Sequence, residues 1–221
     1  MPTILGANSA TGAYEISNSV RFDDGSSDRL YFDQGSGDDT TARRKWTFST
    51  WVKRSEITSS NHEYFFGVGD YTLIGFRKDD SGEADDLYVQ SQNSGTATAL
   101  QTNAKFRDPH AWYHIFAVFD STQGTASNRL KVYVNGNEVG SEYGGFSVDQ
   151  TGSITQNEHD LEVGDSGTRI SIAYSPNGTS SFYDGYMAET HLLIGTAKAY
   201  TDFGETNDNG VWVPKETSFA T

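Results

Sequence analysis

The stretch WYHIFAVFDSTQGTASNRLKVYVNGNEV, residues 112–139, decides the fold of this chain. Its first part, Trp112 to Asp120, is apolar on both faces of an extended strand, which is typical of a central strand covered on both sides. Leu130 to Val134 then alternates between apolar and polar residues, as a strand with one buried face does. Asn135-Gly136 follows and predicts a type I′ hairpin turn, because both central residues of that turn need a positive φ.

The two faces of the first strand carry different sets of side chains. One face has Tyr113, Ile115, Ala117 and Phe119, and the other has Trp112, Phe116 and Val118. His114 interrupts the second face, and within a central strand we expect it to be a hydrogen-bonded core residue. A meander of this kind cannot bury its apolar face alone, so the rest of the chain must supply a second sheet.

The remaining chain contains many short apolar or alternating runs separated by Gly, Asn and Asp residues, with no sustained helical period. These runs predict strands at residues 16–22, 30–32, 46–54, 64–68, 72–77, 87–90, 97–101 and 182–194. Residues 140–157 are expected to form loops over a sheet edge, and Trp212 is expected to plug one end of the core. The predicted fold class is all-β, an antiparallel β-sandwich of jelly-roll type, with residues 1–221 as a single domain and a core at about residues 16–194.

Composition agrees with this fold and bounds the compartment. The 221 residues suit one domain, and 23 glycines with 13% aromatic residues describe a protein of strands and turns. No segment approaches the ~20 apolar residues that cross a bilayer, and the N-terminus lacks the basic and apolar regions of a secretory signal. We therefore expect the chain to be made and folded in a cytoplasm, a compartment that the absence of cysteine also fits.

The net charge of −14 narrows the range of partners. A strongly acidic surface repels phosphates, which argues against nucleic acid and anionic membranes as partners. The basic cluster Arg43-Arg44-Lys45 directly precedes a predicted strand, and we interpret it as a solvated turn. Neutral sugars and other proteins remain open as partners.

Four segments of the chain follow one another in a characteristic order. WTFSTWVK at Trp46–Lys53 is followed by WYHIFAVFD at Trp112–Asp120, KVYVNG at Lys131–Gly136 and FYDGYMAE at Phe182–Glu189. With these segments in this order, the chain resembles the laminin-G-like branch of the concanavalin A-like lectin/glucanase jelly rolls. The resemblance spans roughly residues 16–194 and implies the same sandwich as the strand pattern.

Three further segments, NSVRFDDGSSD, KFRDPHAWYH and DNGVWVPK, are similar to laminin-G-like proteins of tailed bacteriophages, notably marine ones. This resemblance implies a non-enzymatic virion structural protein, displayed on the particle as capsid decoration or fibre, or in the tail. It implies partners among other virion proteins and further copies of the chain, with a trimer expected by analogy. Lectin-like adhesion to carbohydrate on the host surface is a further expectation.

An acidic motif, Glu158-His159-Asp160-Leu161-Glu162, opens an alternative interpretation. In a strand, the period of two would place Glu158, Asp160 and Glu162 on one face. Retaining glycosidases of this superfold carry such a strand, in which one carboxylate attacks the sugar and another donates the proton. The resemblance therefore leaves a glycoside hydrolase as the alternative. The preferred interpretation predicts no catalytic residue, because a laminin-G-like strand can also end in Leu161-Glu162-Val163-Gly164.

Calcium is the one cofactor that the sequence brings into question. Side-chain oxygens stand at every second position of an acidic turn, as in calcium loops, at Asp79, Ser81, Glu83 and Asp85. The spacing of an EF-hand is missing, so we interpret the turn as solvated, with Asp79, Glu83 and Asp85 as the alternative calcium ligands. Three more aspartates lie at strand ends, where a rim site would form: Asp70, Asp120 and Asp184. Tyrosines in predicted loops are candidates for stacking on sugars: Tyr71, Tyr143 and Tyr174.

Overall fold

A computed structural model describes residues 14–35, 39–57, 61–78, 85–93, 95–140, 143–176 and 181–219. Within these ranges the chain forms an antiparallel sandwich of two large sheets, which confirms the predicted fold class. The same ranges contain no helix long and apolar enough to cross a membrane. The strands are β1 (Val20–Phe22), β2 (Leu30–Asp33), β3 (Lys45–Arg54), β4 (Glu63–Val68), β5 (Thr72–Phe76), β6 (Asp86–Asn93), β7 (Thr96–Lys105), β8 (Tyr113–Asp120), β9 (Leu130–Val134), β10 (Asn137–Glu138), β11 (Phe146–Asp149), β12 (Arg169–Ile172), β13 (Gly185–Ile194), β14 (Gly204–Thr206) and β15 (Trp212–Pro214).

Six strands form the first sheet, in the order β1-β13-β3-β8-β9-β10. The predicted meander occupies one half of it, because β8 pairs with β9 and β9 turns back into β10. Asn135 and Gly136 both have a positive φ, 48° and 77°, as a type I′ turn requires. The hairpin prediction is confirmed.

Seven strands form the second sheet, in the order β11-β7-β6-β5-β4-β12-β2. The predicted hairpin of β4 and β5 is confirmed, whereas β6 and β7 run further than the sequence indicated. The sequence missed β11 and β12, which have only four residues each and are therefore too short to show a period. Pairing with neighbours holds them in place, since β12 lies between β4 and β2 and β11 lies on β7.

The core lies between the two sheets and is rich in aromatic side chains. In β3, Trp46 and Phe48 are fully buried in this core, while Trp51 belongs to the opposite face, as predicted. Trp46 stacks on Phe119 of the same sheet with 5.8 Å between ring centroids. Phe48 contacts Phe66 of the second sheet, with 4.2 Å between ring centroids. Burial of each such side chain contributes about 2 kcal/mol, so these contacts hold the sheets face to face.

The outer face of the six-stranded sheet is covered near its centre by the C-terminal segment. Phe203 packs on Phe116 of β8 at 5.5 Å between ring centroids, and the Trp212 ring lies on Gly136 and stacks on His114. The prediction that β8 is covered on both faces is confirmed. The prediction that Trp212 plugs one end of the core is wrong, because the ribbon of β14 and β15 carries this residue onto the outer face.

His114 is the polar centre of that covered region and is 1% exposed. Trp212 Nε1 donates a hydrogen bond to His114 Nδ1 at 3.1 Å, so Nδ1 is the unprotonated nitrogen. Nε2 therefore carries the proton and donates to Ser49 Oγ at 2.8 Å. Because this nitrogen has no lone pair for the serine proton, the pair is not a nucleophile and its base. The expectation of a hydrogen-bonded core histidine is confirmed.

Burial lowers the pKa of His114 from 6.5 to about 3, and the neighbouring His191 contributes to the same shift. Between those two values the unfolded chain binds a proton that the folded chain does not, so stability falls as the pH is lowered. We expect His114→Gln to make the free energy of unfolding less dependent on pH between about pH 4 and pH 6, by up to about 1.4 kcal/mol per pH unit. Urea denaturation of both proteins measures the difference, and parallel pH profiles would contradict it.

Candidate functional site

The acidic motif at residues 158–162 does not form a strand. Asp160 makes an isolated bridge with Asn93. Glu158 is exposed beside a turn, and neither Glu158 nor His159 belongs to a strand. The period of two therefore does not apply, and the predicted single face of three carboxylates is wrong. Each of the three side chains has its own environment.

Asp160 is fully buried and accepts four hydrogen bonds. Its Oδ1 accepts the backbone N–H groups of Glu162 and Val163, both at 2.9 Å. Its Oδ2 accepts Trp46 Nε1 at 2.9 Å and Ser91 Oγ at 2.6 Å. Burial raises the pKa of this carboxyl, while the four donors act in the opposite direction. Both oxygens are occupied by structural contacts.

Glu162 caps the turn between β4 and β5. Its carboxylate accepts the backbone N–H groups of Asp70, Tyr71 and Thr72 at 2.6–3.0 Å. Burial raises the pKa of Glu162, and these backbone donors lower it. A carboxylate that satisfies consecutive backbone donors holds the turn closed, and this gives Glu162 a structural position.

The acidic turn at residues 78–86 contributes a structural carboxylate. Asp79 and Glu83 lie outside the described residues. Asp85 is buried, and its Oδ1 accepts Arg54 Nη1 at 2.9 Å while its Oδ2 accepts Arg107 Nε at 2.7 Å. Guanidinium groups thus engage both oxygens of Asp85, so this candidate calcium ligand is held in ion pairs, and the expectation of a solvated turn is wrong for Asp85.

The basic cluster before β3 is also partly structural. Arg43 is 3% exposed, and it donates to the Asp160 carbonyl at 2.9 Å and to Asp165 Oδ1 at 2.8 Å. The expectation of a solvated turn is therefore wrong for Arg43. Its guanidinium anchors the segment that carries Asp160 to the start of β3.

Of the strand-end aspartates, Asp184 has carboxylate neighbours. Among the described residues, Asp23, Asp24 and Asp184 form a group in which one oxygen from each lies within 4.8 Å of the others. Asp120, by contrast, caps its own turn through Thr122 and pairs with Lys45 at 3.4 Å. The Asp70 backbone N–H belongs to the turn that Glu162 caps.

Strand register explains why these carboxylates meet. β1 pairs with β13 so that Phe22 lies opposite Gly185. One step beyond the paired residues, Asp23 therefore lies opposite Asp184, and like charges placed opposite each other destabilise a sheet. Arg21 offsets part of this repulsion, with a guanidinium nitrogen 3.5 Å from an oxygen of each of the two carboxylates. Three carboxylates and one guanidinium leave a local charge of −2.

The pKa of Asp184 reflects this arrangement. Burial raises it, Arg21 lowers it, and the carboxylates of Asp24 and Asp23 raise it further. The group therefore carries negative charge that one arginine does not balance. Oxygen ligands of this kind are the ligands that a hard divalent cation such as Ca²⁺ takes.

An aromatic and cationic row crosses the sheet beside the carboxylates. Arg21 of β1 lies opposite Tyr186 of β13, which lies opposite Lys53 of β3. Continuing the register of β3 and β8 by one step places Trp112 opposite Lys53. Trp112 is 37% exposed and meets Tyr186 edge-on, with 6.5 Å between ring centroids. Four strands thus supply one continuous surface.

A hollow of about 270 Å³ lies next to this row. Its lining joins two tryptophans to small and polar residues: Ile16, Ser17, Asn18, Ser19, Trp51, Trp112, Ala188 and Pro214. Ala188 is opposite Trp51 in the sheet, so a small side chain beside a large one leaves the space open. Trp51 is held by stacking on His114 at 5.0 Å. We name the hollow, the row and the three carboxylates together the outer-face site.

The loop tyrosines lie elsewhere. Tyr71 is 42% exposed, whereas Tyr143 is partly buried against Phe106 and donates to the Val134 carbonyl at 3.0 Å. Tyr174 is half-buried against Phe182 at 4.8 Å. Sequence reasoning therefore missed the aromatic residues of the outer-face site. The spacing of two between Asp184, Tyr186 and Ala188 places these residues on one face of a strand. It indicates a site only when the register shows which residues of the neighbouring strands lie beside them.

The fold and the surface define a laminin-G-like jelly roll with an aromatic and acidic outer face. The chain belongs to the concanavalin A-like lectin/glucanases superfamily, because a laminin-G family model with that description matches residues 23–197. No curated protein sequence gives a significant match to the chain.

Solved structures share the fold at low identity. A putative carbohydrate binding protein from Bacteroides ovatus has a TM-score of 0.55 and 15% identity, with 78% of this chain and 43% of that chain covered. A heptameric SAP-like pentraxin from Limulus polyphemus has a TM-score of 0.45 and 14% identity over 78% of each chain. A sialidase from Trypanosoma rangeli has a TM-score of 0.44 and 14% identity, with 72% of this chain and 22% of that chain covered. At these identities the likeness concerns the fold alone.

Because Asp160 is buried and Glu158 is exposed, we expect their amide variants to change the free energy of unfolding by very different amounts. Asp160→Asn replaces one acceptor oxygen with an NH₂ group that faces existing donors, and we expect it to lower the free energy of unfolding by about 2–4 kcal/mol. Glu158→Gln, at an exposed position, should change it by less than about 0.5 kcal/mol. Urea denaturation compares the two, and equal effects would contradict the structural assignment of Asp160.

Proposed function

We propose that the chain is a non-enzymatic glycan-binding module of a bacteriophage particle, and that it binds carbohydrate at the outer-face site. The observation that carries this proposal is the hollow between Trp51 and Trp112. Tyr186 meets Trp112 edge-on beside the hollow, and the unbalanced carboxylates lie beyond Tyr186 on the same face of the sheet. The superfamily includes lectins, and the similar Bacteroides ovatus structure is described as a putative carbohydrate binding protein. The phage assignment rests on the resemblance of three sequence segments.

The hollow matches the chemistry of a sugar ring. The faces of aromatic side chains bind the apolar C–H surface of a pyranose, while hydroxyl and amide groups at the rim bind its hydroxyls. Trp112 supplies the exposed aromatic surface, and Ser17, Asn18 and Ser19 supply the polar groups. A space of about 270 Å³ is smaller than the usual range for drug-sized ligands, which favours a terminal sugar or a short segment.

The group of Asp23, Asp24 and Asp184 could bind a divalent cation. A bound Ca²⁺ would relieve the repulsion between Asp23 and Asp184, and it would offer open coordination positions to sugar hydroxyls. Arg21 lies within reach of the same carboxylates and competes with the ion. We therefore propose that calcium binds weakly in the absence of sugar and more tightly with it.

The positions of Asp160 and Glu162 favour binding over hydrolysis. Glycosidases need two carboxyl groups that flank the scissile bond. Asp160 is inaccessible and Glu162 is bound by backbone donors, so these two residues serve the fold. We propose that the chain turns over no glycan, and that its place is on the virion surface with other particle proteins and copies of itself as partners.

Sugar binding is tested with glycan arrays, followed by calorimetry on the best ligand in calcium and in EDTA. We expect Trp112→Ala to weaken binding about tenfold or more, since the lost stacking is worth about 1.4 kcal/mol. Tyr71→Ala removes another exposed aromatic ring far from the hollow and serves as the control. Equal affinities of wild type and Trp112→Ala, or an array without a ligand, would refute the site.

Calcium binding is tested by the thermal stability of the protein as calcium is added. Saturation at about 100 times the dissociation constant stabilises a protein by about 2.7 kcal/mol, and we expect a corresponding rise in Tm for the wild type. Asp184→Asn removes one ligand and should abolish the rise. Asp208→Asn, at an exposed position outside the group, should retain it. A rise that survives Asp184→Asn would place the ion elsewhere.

The location on the particle needs a separate measurement. Mass spectrometry of purified virions should detect the chain, and immunogold labelling should show it on the capsid or the tail surface. A chain found only in the soluble lysate of infected cells would contradict the virion assignment and leave the sugar-binding tests unaffected.

A further inference from the structure

Both sheets end on the same side of the sandwich in short strands. β1 is the terminal strand of the six-stranded sheet and β2 that of the seven-stranded sheet within the described residues. A cleft of about 440 Å³ opens between them, with a mainly apolar lining that includes Val20, Leu30 and Phe32. An apolar cleft beside unpaired strand edges is a surface that another strand can cover.

β2 exposes an unusual amount of apolar surface for an edge strand. Leu30, Tyr31 and Phe32 are 56%, 56% and 54% exposed. One edge of β2 pairs with β12, so its other edge presents backbone donors and acceptors without a strand partner in the described part of the chain. Natural proteins usually protect such an edge with charges, a proline or a covering element.

The two faces of β2 differ in chemistry. Leu30 and Phe32 point into the cleft. Tyr31 and Asp33 point outward, where the Arg169 guanidinium lies 4.5 Å from the Tyr31 ring centroid and Arg169 Nε lies 2.9 Å from Asp33 Oδ1. Arg29 directly precedes the strand, and strand alternation places it on the same outer side as Tyr31. Its guanidinium lies 5.3 Å from the Tyr174 ring centroid and 5.7 Å from that of Phe182, and it donates to the Ser27 carbonyl at 3.2 Å.

We propose that the β2 edge binds the same edge of a second copy of this chain, antiparallel and around a twofold axis through Tyr31. In this register the segment Arg29-Leu30-Tyr31-Phe32-Asp33 is self-complementary, because each residue of one copy lies opposite a residue of matching chemistry in the other. Arg29 of each copy faces Asp33 of the other, Leu30 faces Phe32, and Tyr31 faces Tyr31. A twofold interface requires such self-complementarity, and the opposite charges at the two ends of the segment provide it.

The pairing satisfies the edge in three ways. The backbone groups of β2 that have no strand partner among the described residues gain one, which joins the two seven-stranded sheets into one. Side chains directly opposite in such a pair have Cβ atoms about 5 Å apart, so Arg29 of each copy comes within reach of the Asp33 carboxylate of the other. Asp33 would then pair with two arginines, since Arg169 of its own chain already binds one of its oxygens. On the inner side, Leu30 and Phe32 of the second copy cover the open end of the apolar cleft.

The charge pattern also selects the occupant. Arg29 and Asp33 lie at equal distances on either side of Tyr31. A twofold contact with a second copy requires this symmetric placement of opposite charges, whereas a strand from an unrelated protein does not. The net charge of −14 opposes association at long range, but at physiological ionic strength charges more than about 8 Å apart are screened. The contact closes on itself, so it produces a dimer, in contrast to the trimer that the family resemblance implies.

The experiment compares charge reversals at the two ends of the segment. Light scattering after size exclusion, from micromolar to near-millimolar concentration, should show the wild type as a dimer. Arg29→Asp or Asp33→Arg places like charges opposite each other, and each should raise the dissociation constant about tenfold or more. Asp208→Arg reverses a charge at an exposed position away from β2 and should leave the dimer intact.

Mixing the two single variants provides the decisive comparison. In the mixed pair one copy contributes two acidic side chains at positions 29 and 33, and the other contributes two basic ones. Native mass spectrometry should therefore show a heterodimer at a concentration at which neither variant alone dimerises. Circular dichroism checks that both variants retain the sandwich. If either variant unfolds, hydrogen exchange of the wild type replaces this comparison, and protection of residues 30–33 should rise with protein concentration.

Several results would overturn the pairing. A wild type that stays monomeric at the highest concentration, or that forms a trimer, contradicts a twofold edge contact. A dimer that tolerates both charge reversals has its interface elsewhere. Folded single variants that fail to combine when mixed show that Arg29 and Asp33 do not face each other, and concentration-independent exchange at residues 30–33 shows that β2 is not covered.

Discussion

One buried carboxylate connects the two sheets of this protein. Asp160 accepts hydrogen bonds from Trp46 of the six-stranded sheet and Ser91 of the seven-stranded sheet, and it also binds two backbone N–H groups of its own loop. A charged group without water is stable only when every lone pair has a donor, so the loop and both sheets must all be in place. The backbone of Asp160 bonds to Arg43 in both directions, which anchors the same loop to the start of β3. The most conspicuous acidic motif of the sequence thus serves the architecture.

The outer-face site depends on a different constraint, the register of β13. This strand lies between β1 and β3 and sets which residues of the two neighbours stand side by side. Asp184 directly before the strand, and Tyr186 and Ala188 within it, contribute an acid, an aromatic ring and a small side chain to three successive rows of the outer face. A shift of one residue would turn all three toward the core, so the register that buries Met187 also assembles the outer-face site.

Local pattern predicted the parts of the fold in which neighbours in sequence are also neighbours in space. The β8–β9 meander, its Asn135-Gly136 turn and the two faces of β3 were all readable, because alternation and turn chemistry act over a few residues. β12 was not readable, since four residues show no period and its stability comes from β4 and β2 on either side. The capping role of Glu162 could not be predicted for a related reason: its partners are the backbone groups of Asp70, Tyr71 and Thr72, which no side-chain pattern marks.

The sequence by itself determined the class of fold, the central strands and the acidic character of the surface. Only the tertiary structure decided what each acidic residue does, because the fate of a carboxylate depends on the donors that surround it in space. Asp160 and Asp184 look alike in the chain, yet one is enclosed by four donors and the other lies opposite Asp23 with a single arginine between them. The same holds for Trp212, whose place on the outer face follows from the ribbon that carries it. Long-range register is set by burial across the whole sandwich, and a local window of residues carries no record of it.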